Sequence, residues 1–216
     1  MPESLSPELL QLRQRAEQFA NSVLLPSQAE LADGRADLAA VRGIVTRAAV
    51  DAGFFKMTQP KSFGGSEAGL LAMTVVRDTL ASYNTGLGDY VFGLAPGVLA
   101  HCAEPLNSLY LQPLLNGTKR AGFAFTEPDD APHYTRAVPS ADGTYVVSGR
   151  KSYVTRGGDA DFFNTMVEIE GQGRALLVID AHAPGVIIER RFESLDGSHH
   201  VAFCFDSVRV PADRLA

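Results

Sequence analysis

Residues 123 to 136 read FAFTEPDDAPHYTR, where an alternating apolar strand opens into turn formers that carry most of the reactive groups of this stretch. Glu127, Asp129, Asp130 and His133 can hold charge or move protons, and Thr126 offers a hydroxyl at the strand mouth. Paired carboxylates do acid–base work only when both aim at one reacting atom. Asp129 and Asp130 are adjacent and point apart, so they read as a solvated loop. Pro128 fixes a turn, and Glu127 reads as an acceptor for nearby backbone N–H groups. What remains is a loop that either turns a corner or holds a ligand by its backbone. The histidines at 101, 133, 182, 199 and 200 have no metal-ligand spacing. Cys102 and Cys204 stand far apart amid apolar neighbours, which reads as two buried, reduced thiols.

The elements that position this loop change character along the chain. Ser6-Pro7-Glu8 is a helix start: a hydroxyl cap, proline in the first turn and an acid near the positive end of the helix dipole. Leu9, Leu12, Ala16, Phe19 and Val23 follow at helical spacing, with Pro26 read as the stop. A second helix carries Leu38, Val41, Val45, Ala48 and Ala52 and closes at Gly53, and a third runs from about Leu70 to Ala81. The glycine-rich stretch TGLGDYVFGLAPGVLAHCA reads as a tightly packed helix. It is not a nucleotide fingerprint, because the spacing is wrong and no strand precedes it. EPLNSLYLQPLLNG gives a last short helix ending at Gly117.

After Lys119 the period becomes alternating. AGFAF, TYVVSG, KSYVT, FFNTMVEI, ALLVIDA, GVIIERR and VAFCFDSVRVP are β-rich runs, separated by Gly-containing turns such as Ala141-Asp142-Gly143. Helices first and strands second give an α+β chain. The expectation is an all-α domain over 1–118 followed by a small antiparallel β-barrel over 119–216.

Bulk properties exclude several classes of function. A formal charge of −6 and the lack of a basic stripe argue against nucleic acid as partner. No segment has the 18 or more apolar residues of a membrane span, so no membrane partner is expected. The start MPESLSPELL has neither a basic head nor an apolar signal core, which reads as cytoplasmic.

The order of motifs is more specific than any one of them. YLQPLLNG is followed by FAFTEP, then DGTYVVSGRKSYVTRGG, then VAFCFDSVRVPADRLA. This order resembles the acyl-CoA dehydrogenase family of flavoproteins from about residue 38 to residue 216. The resemblance implies FAD as cofactor, with the strand bearing Phe123 and Phe125 beside the flavin ring. It implies that Thr126 bonds the pyrimidine edge, that Tyr153 lies as an aromatic plate against the ring face, and that Thr155 reaches flavin N5. Those residue types suit a flavin, which needs a flat apolar wall and few polar contacts. Read without the family order, the same aromatics and threonines are ordinary strand residues.

Two departures qualify what the resemblance implies. Ala131, Pro132 and His133 stand where the family has Gly-Ser-Asp, so a hydroxyl and an N–H that serve an anion there are missing. The family also continues into a C-terminal helical domain that supplies the catalytic glutamate, and none of these 216 residues is marked for that role. The expectation is therefore a partial dehydrogenase acting on an acyl thioester of CoA or a carrier protein. A homo- or hetero-oligomeric partner would supply the helical domain, or these residues would be cut from a longer polypeptide that carries it. The alternatives are an inactive family member used as a binding or assembly module, and a flavin monooxygenase or oxidase on the same fold.

Overall fold

The computed structural model describes residues 4–194 and 199–216. Two compact units result: residues 1–95 with 115–117, and residues 96–114 with 118–216. The segment 96–114, helical in pattern, thus belongs with the strands.

In the first unit, helix α1 spans Pro7–Phe19, and the Ser6 hydroxyl caps it by accepting from Leu9 N–H. Pro26 does not end this helix. A π-helical turn over Ala20–Leu24 leads straight into α2, Leu25–Ala32, whose first turn holds the proline. Proline is tolerated there because its missing N–H falls where the wider turn has already broken the regular ladder. Helix α3, Leu38–Asp51, starts at Asp37, whose carboxylate accepts from Ala40 N–H at 2.7 Å. Helix α4 spans Leu70–Ala81. Phe19, Leu24, Val41, Val45, Phe54, Val76 and Leu80 form the core between them. Each such burial contributes roughly 1.5–3 kcal/mol.

The stretch from 85 to 103 is not a helix. It forms only short 3-10 turns at Gly88–Tyr90 and Gly97–Leu99. Gly86 at φ +71° and Gly97 at φ +55° take left-handed backbone that interrupts a helix. Gly93 is glycine for a different reason: a Cβ there would lie 2.5 Å from the Phe55 ring.

After the Gly97–Leu99 turn the second unit holds a π-helical turn, Asn107–Leu111, and a single helical turn α5, Gln112–Leu115, whose last residue falls in the first unit. Tyr110 is buried there and donates to Asp180 Oδ1 at 2.9 Å, with its ring edge-on to Phe162 at 4.9 Å. Seven strands follow: β1 Ala121–Ala124, β2 Arg136–Pro139, β3 Thr144–Thr155, β4 Phe162–Ile169, β5 Gly173–Asp180, β6 Val186–Glu193 and β7 His199–Pro211. The sheet order is β1-β4-β2-β3-β7-β6, with β5 on the other side of β4.

The α+β class stands, but the sheet is mixed rather than wholly antiparallel. Strands β1 and β2 both run parallel to β4, end to end along one edge of it. The sequence runs TYVVSG and KSYVT are one strand, β3, joined through Arg150. Alternation reveals which face a residue takes but not the direction of its neighbour. One face of the sheet encloses Ala137, Val147, Val167, Leu177, Phe205 and Val208, with Phe163, Val154 and Phe203 continuing the core toward β1.

Candidate functional site

The parallel arrangement creates the site. Strand β1 leaves the edge of β4 at Ala124, opposite Thr165, and the chain returns as β2 at Arg136, opposite Glu168. The loop between them, residues 125–135, is therefore anchored at both ends within three residues of β4. It leans across to β3, where Ser152 N–H donates to the Thr126 carbonyl at 2.9 Å. Gly122 lets β1 and β3 approach: a Cβ there would meet Phe163 Cδ1 at 2.8 Å and Val154 Cγ1 at 3.3 Å.

Strand β3 carries a bulge at this point. Its register with β7 slips between Lys151 and Val154, so two residues, Ser152 and Tyr153, stand where the partner strand has one. Tyr153 takes φ +58°, a left-handed conformation uncommon for an aromatic residue. The bulge buries Lys151, Ser152 and Val154 and turns Tyr153 and Thr155 outward.

The five residues that the resemblance places against a flavin all have exposed side chains. Phe123 and Phe125 are each 50% exposed and Tyr153 is 64% exposed, which is unusual for large rings. The Phe123 and Phe125 rings stack at 5.8 Å with planes 14° apart. Thr126 and Thr155 are also exposed. Backbone hydrogen bonding brings Thr126 beside the Ser152–Tyr153 bulge, and Thr155 lies two residues further along β3.

Sequence reasoning missed Lys151. Its ammonium is fully buried, donates to the Phe125 carbonyl at 2.8 Å, and forms an ion pair with Glu127. Glu127 Oε1 also accepts from Thr135 N–H at 3.2 Å, the backbone role expected of it. Burial opposes the Glu127 charge, but hydrogen bonds from Lys151 and Thr135 outweigh it and hold the carboxyl below its usual range. Burial draws the Lys151 ammonium below the ordinary lysine range, against the pull of Glu127. A lysine inside an otherwise inward-facing position of KSYVT was the available signal.

The neighbouring Arg150 points the other way and binds Asp130 at 3.1 Å and Glu189 at 2.9 Å. Asp130 is thus a partnered residue, not merely a solvated one. The 125–135 loop spends two of its acids, Glu127 and Asp130, on adjacent cations of β3. Cys102 and Cys204 are free thiols, each half-buried rather than fully so. Among the described residues no group of three or more His, Cys, Asp or Glu side chains is placed to hold a metal, and no helix is long and apolar enough to cross a membrane.

A helical unit followed by a mixed, bulged sheet is an arrangement shared with solved acyl-CoA dehydrogenases. A family profile described as acyl-CoA dehydrogenase, N-terminal domain, matches residues 6–118. The chain belongs to the acyl-CoA dehydrogenase family. It is 26% identical over 227 residues to acyl-CoA dehydrogenase FadE29 of Mycobacterium tuberculosis, covering 98% of this chain and 57% of that one. The structure of a probable acyl-CoA dehydrogenase from Mycobacterium abscessus matches at a TM-score of 0.76 and 31% identity, over 98% of this chain and 58% of that one. An acyl-CoA dehydrogenase from Bacillus anthracis, solved in complex with FAD, shares the fold at a TM-score of 0.71 and 21% identity, over 100% of this chain and 38% of that one. The chain spans about half the length of the curated relatives it matches.

Proposed function

We propose that this chain supplies the flavin-binding and acyl-thioester-facing walls of an acyl-CoA dehydrogenase-type oxidoreductase, and that FAD lies against Phe123, Phe125, Thr126, Tyr153 and Thr155. The observation that carries this reading is the set of bare rings. Phe123 on β1 and Phe125 just beyond it stack nearly parallel and half-exposed, and Tyr153 is held outward by a strained bulge. Exposed aromatic surface beside hydroxyls and strand backbone fits a planar heterocycle with a polar rim. A bound flavin would supply the hydride acceptor for α,β-dehydrogenation of the thioester.

The chain's own residues have separate tasks in this reading. The rings of Phe123, Phe125 and Tyr153 exclude water from one side of the site. The Thr126 and Thr155 hydroxyls orient the ligand by hydrogen bonds to its rim. Glu127 is not available as the base that takes the substrate α-proton, because Lys151 and Thr135 N–H already engage it. That base comes from outside these residues, from a helical domain in the same polypeptide or from a partner chain. Leu70 and Leu71, 85% and 59% exposed at the start of α4, provide apolar surface for such a partner.

Titrating the purified protein with FAD, with and without candidate helical partners, tests the assignment. Saturable uptake with a shifted visible spectrum, and acyl-CoA oxidation once the partner is present, are the expected results. A second reading, a binding or assembly module without chemistry, draws on Pro132, which offers no N–H to an anion. A protein that stays colourless at saturating FAD under every partner condition would decide for it.

A further inference from the structure

We infer that Lys151 is a positioning residue: an internal clamp that fixes the Phe125–Glu127 turn, so that Thr126 and the Phe125 ring face the proposed ligand in one geometry. This rests on the proposed flavin-binding role of Phe123, Phe125, Thr126, Tyr153 and Thr155. The clamp has three parts. Lys151 Nζ bonds the Phe125 carbonyl from beneath, at 2.8 Å, and pairs with Glu127 on the far side of Thr126. Glu127 then gathers the end of the loop by accepting from Thr135 N–H at 3.2 Å. Ser152, the residue after Lys151, bonds the Thr126 carbonyl itself at 2.9 Å. Phe125, Thr126 and Glu127 are therefore each tied to one pair of neighbours on the β3 bulge, while the Thr126 side chain is left facing out.

Burial gives the arrangement its meaning. A fully buried ammonium costs several kcal/mol in desolvation, and an apolar pair of similar volume is often as stable or more so. An ion pair here is thus not needed for stability, whereas its directional bonds fix a backbone that no regular strand pairing holds between Ala124 and Arg136. Arg150 provides an internal contrast. It grips the same loop through Asp130, but that carboxylate is 75% exposed, and solvent-exposed pairs hold geometry weakly.

The test separates positioning from stability. Lys151→Met, the double variant Lys151→Met/Glu127→Met, and Arg150→Met as control are compared in the full chain by thermal melting, amide hydrogen exchange and FAD titration. The single Lys151 variant is expected to raise exchange at Ser152 N–H and Thr135 N–H at least tenfold and to weaken FAD binding at least tenfold. The double variant is expected to regain the melting temperature but neither the protection nor the affinity. Arg150→Met is expected to change exchange less than threefold. A double variant that regains protection together with melting temperature would overturn the clamp, as would a single variant whose loop exchanges at the parental rate. Failure of the parental protein to take up FAD would count against the proposed flavin site alone, since the exchange measurement decides the clamp without ligand.

Discussion

Tyr153 and Phe192 lie with ring centroids 5.0 Å apart and planes at 34°, the tyrosine held there by a left-handed backbone at φ +58° on the β3 bulge. Such a conformation costs a non-glycine residue roughly 1–2 kcal/mol, and the ring contact returns about 0.5–1.5 kcal/mol. The two nearly cancel, so the position is kept for where it puts the ring.

Tyr153→Gly should therefore leave stability within about 1 kcal/mol of the parent, because relief of strain offsets the lost contact and the added chain entropy. Tyr153→Val should lose the contact and deepen the strain, costing about 2 kcal/mol. Both should bind FAD at least tenfold more weakly if the ring covers the ligand. Urea unfolding and FAD titration of the two variants measure this, and a glycine variant as unstable as the valine one would refute the strain argument.

Tyr110 anchors the 96–114 segment to the sheet. Its ring meets Phe162 and lies under the cations of Lys119, at 4.7 Å, and Arg214, at 5.1 Å, while its hydroxyl donates to Asp180. Burial, and then the hydrogen bond to Asp180, push the phenol well above its usual range, so it remains a donor at all ordinary pH. Tyr110→Phe should cost about 1–1.5 kcal/mol, since Asp180 can turn to water. Tyr110→Ala should cost about 3–5 kcal/mol through the cavity. Equal losses in the two variants would mean that the ring packing contributes little.

The Glu127 carboxyl is held below its free value in the folded state, so the unfolded chain binds the proton more tightly. Stability from this group is complete above the ordinary carboxylate range and is lost as pH falls through the lowered folded value. Unfolding midpoints in urea, followed from about pH 6 to about pH 3.5, should fall more steeply for the parent than for Glu127→Gln. At the upper end the variant should be less stable by about 3–5 kcal/mol, because it leaves the Lys151 charge buried without its counter-charge. Parallel curves would show that Glu127 titrates alike in both states.

The sequence was most legible where periodicity and caps agree. The Leu38-to-Ala52 pattern and Gly53 mark α3, which the structure shows capped by Asp37, and the β-rich runs after Lys119 mark six of the seven strands. It was least legible where tertiary contacts decide. Pro26 looks like a stop, yet a π turn carries the helix past it. The glycines from 86 to 97 look like helix-packing residues, yet Gly93 is small because Phe55 fills its space. Phe123, Phe125, Thr126, Tyr153 and Thr155 were picked out by motif order, and the structure adds that all five face outward. Lys151 escaped notice because a lysine in a strand reads as solvated, although alternation from Tyr145 and Val147 places it inward, and the bulge that follows buries Ser152 beside it.

Gly149 tests how far the loop depends on the other end of this bulged strand. Its φ is +150°, and a Cβ there would lie 2.5 Å from Thr135 Cα and 2.7 Å from Thr135 Oγ1. Thr135 is wholly buried, donates its N–H to Glu127, and accepts from Glu168 N–H at 2.8 Å, so it cannot shift without loosening one of them. Gly149→Ala should thus cost about 2–3 kcal/mol through overpacking and strain. It should also raise hydrogen exchange across 125–135. Gly143, at φ +79° with open space around its Cβ position, is the matched comparison. Gly143→Ala should cost only about 1 kcal/mol, from backbone strain alone, and leave exchange in the loop unchanged. If the two alanine variants lose equal stability and the loop stays protected in both, then Thr135 does not relay β3 packing to Glu127, and the loop is ordered by its own turn residues instead.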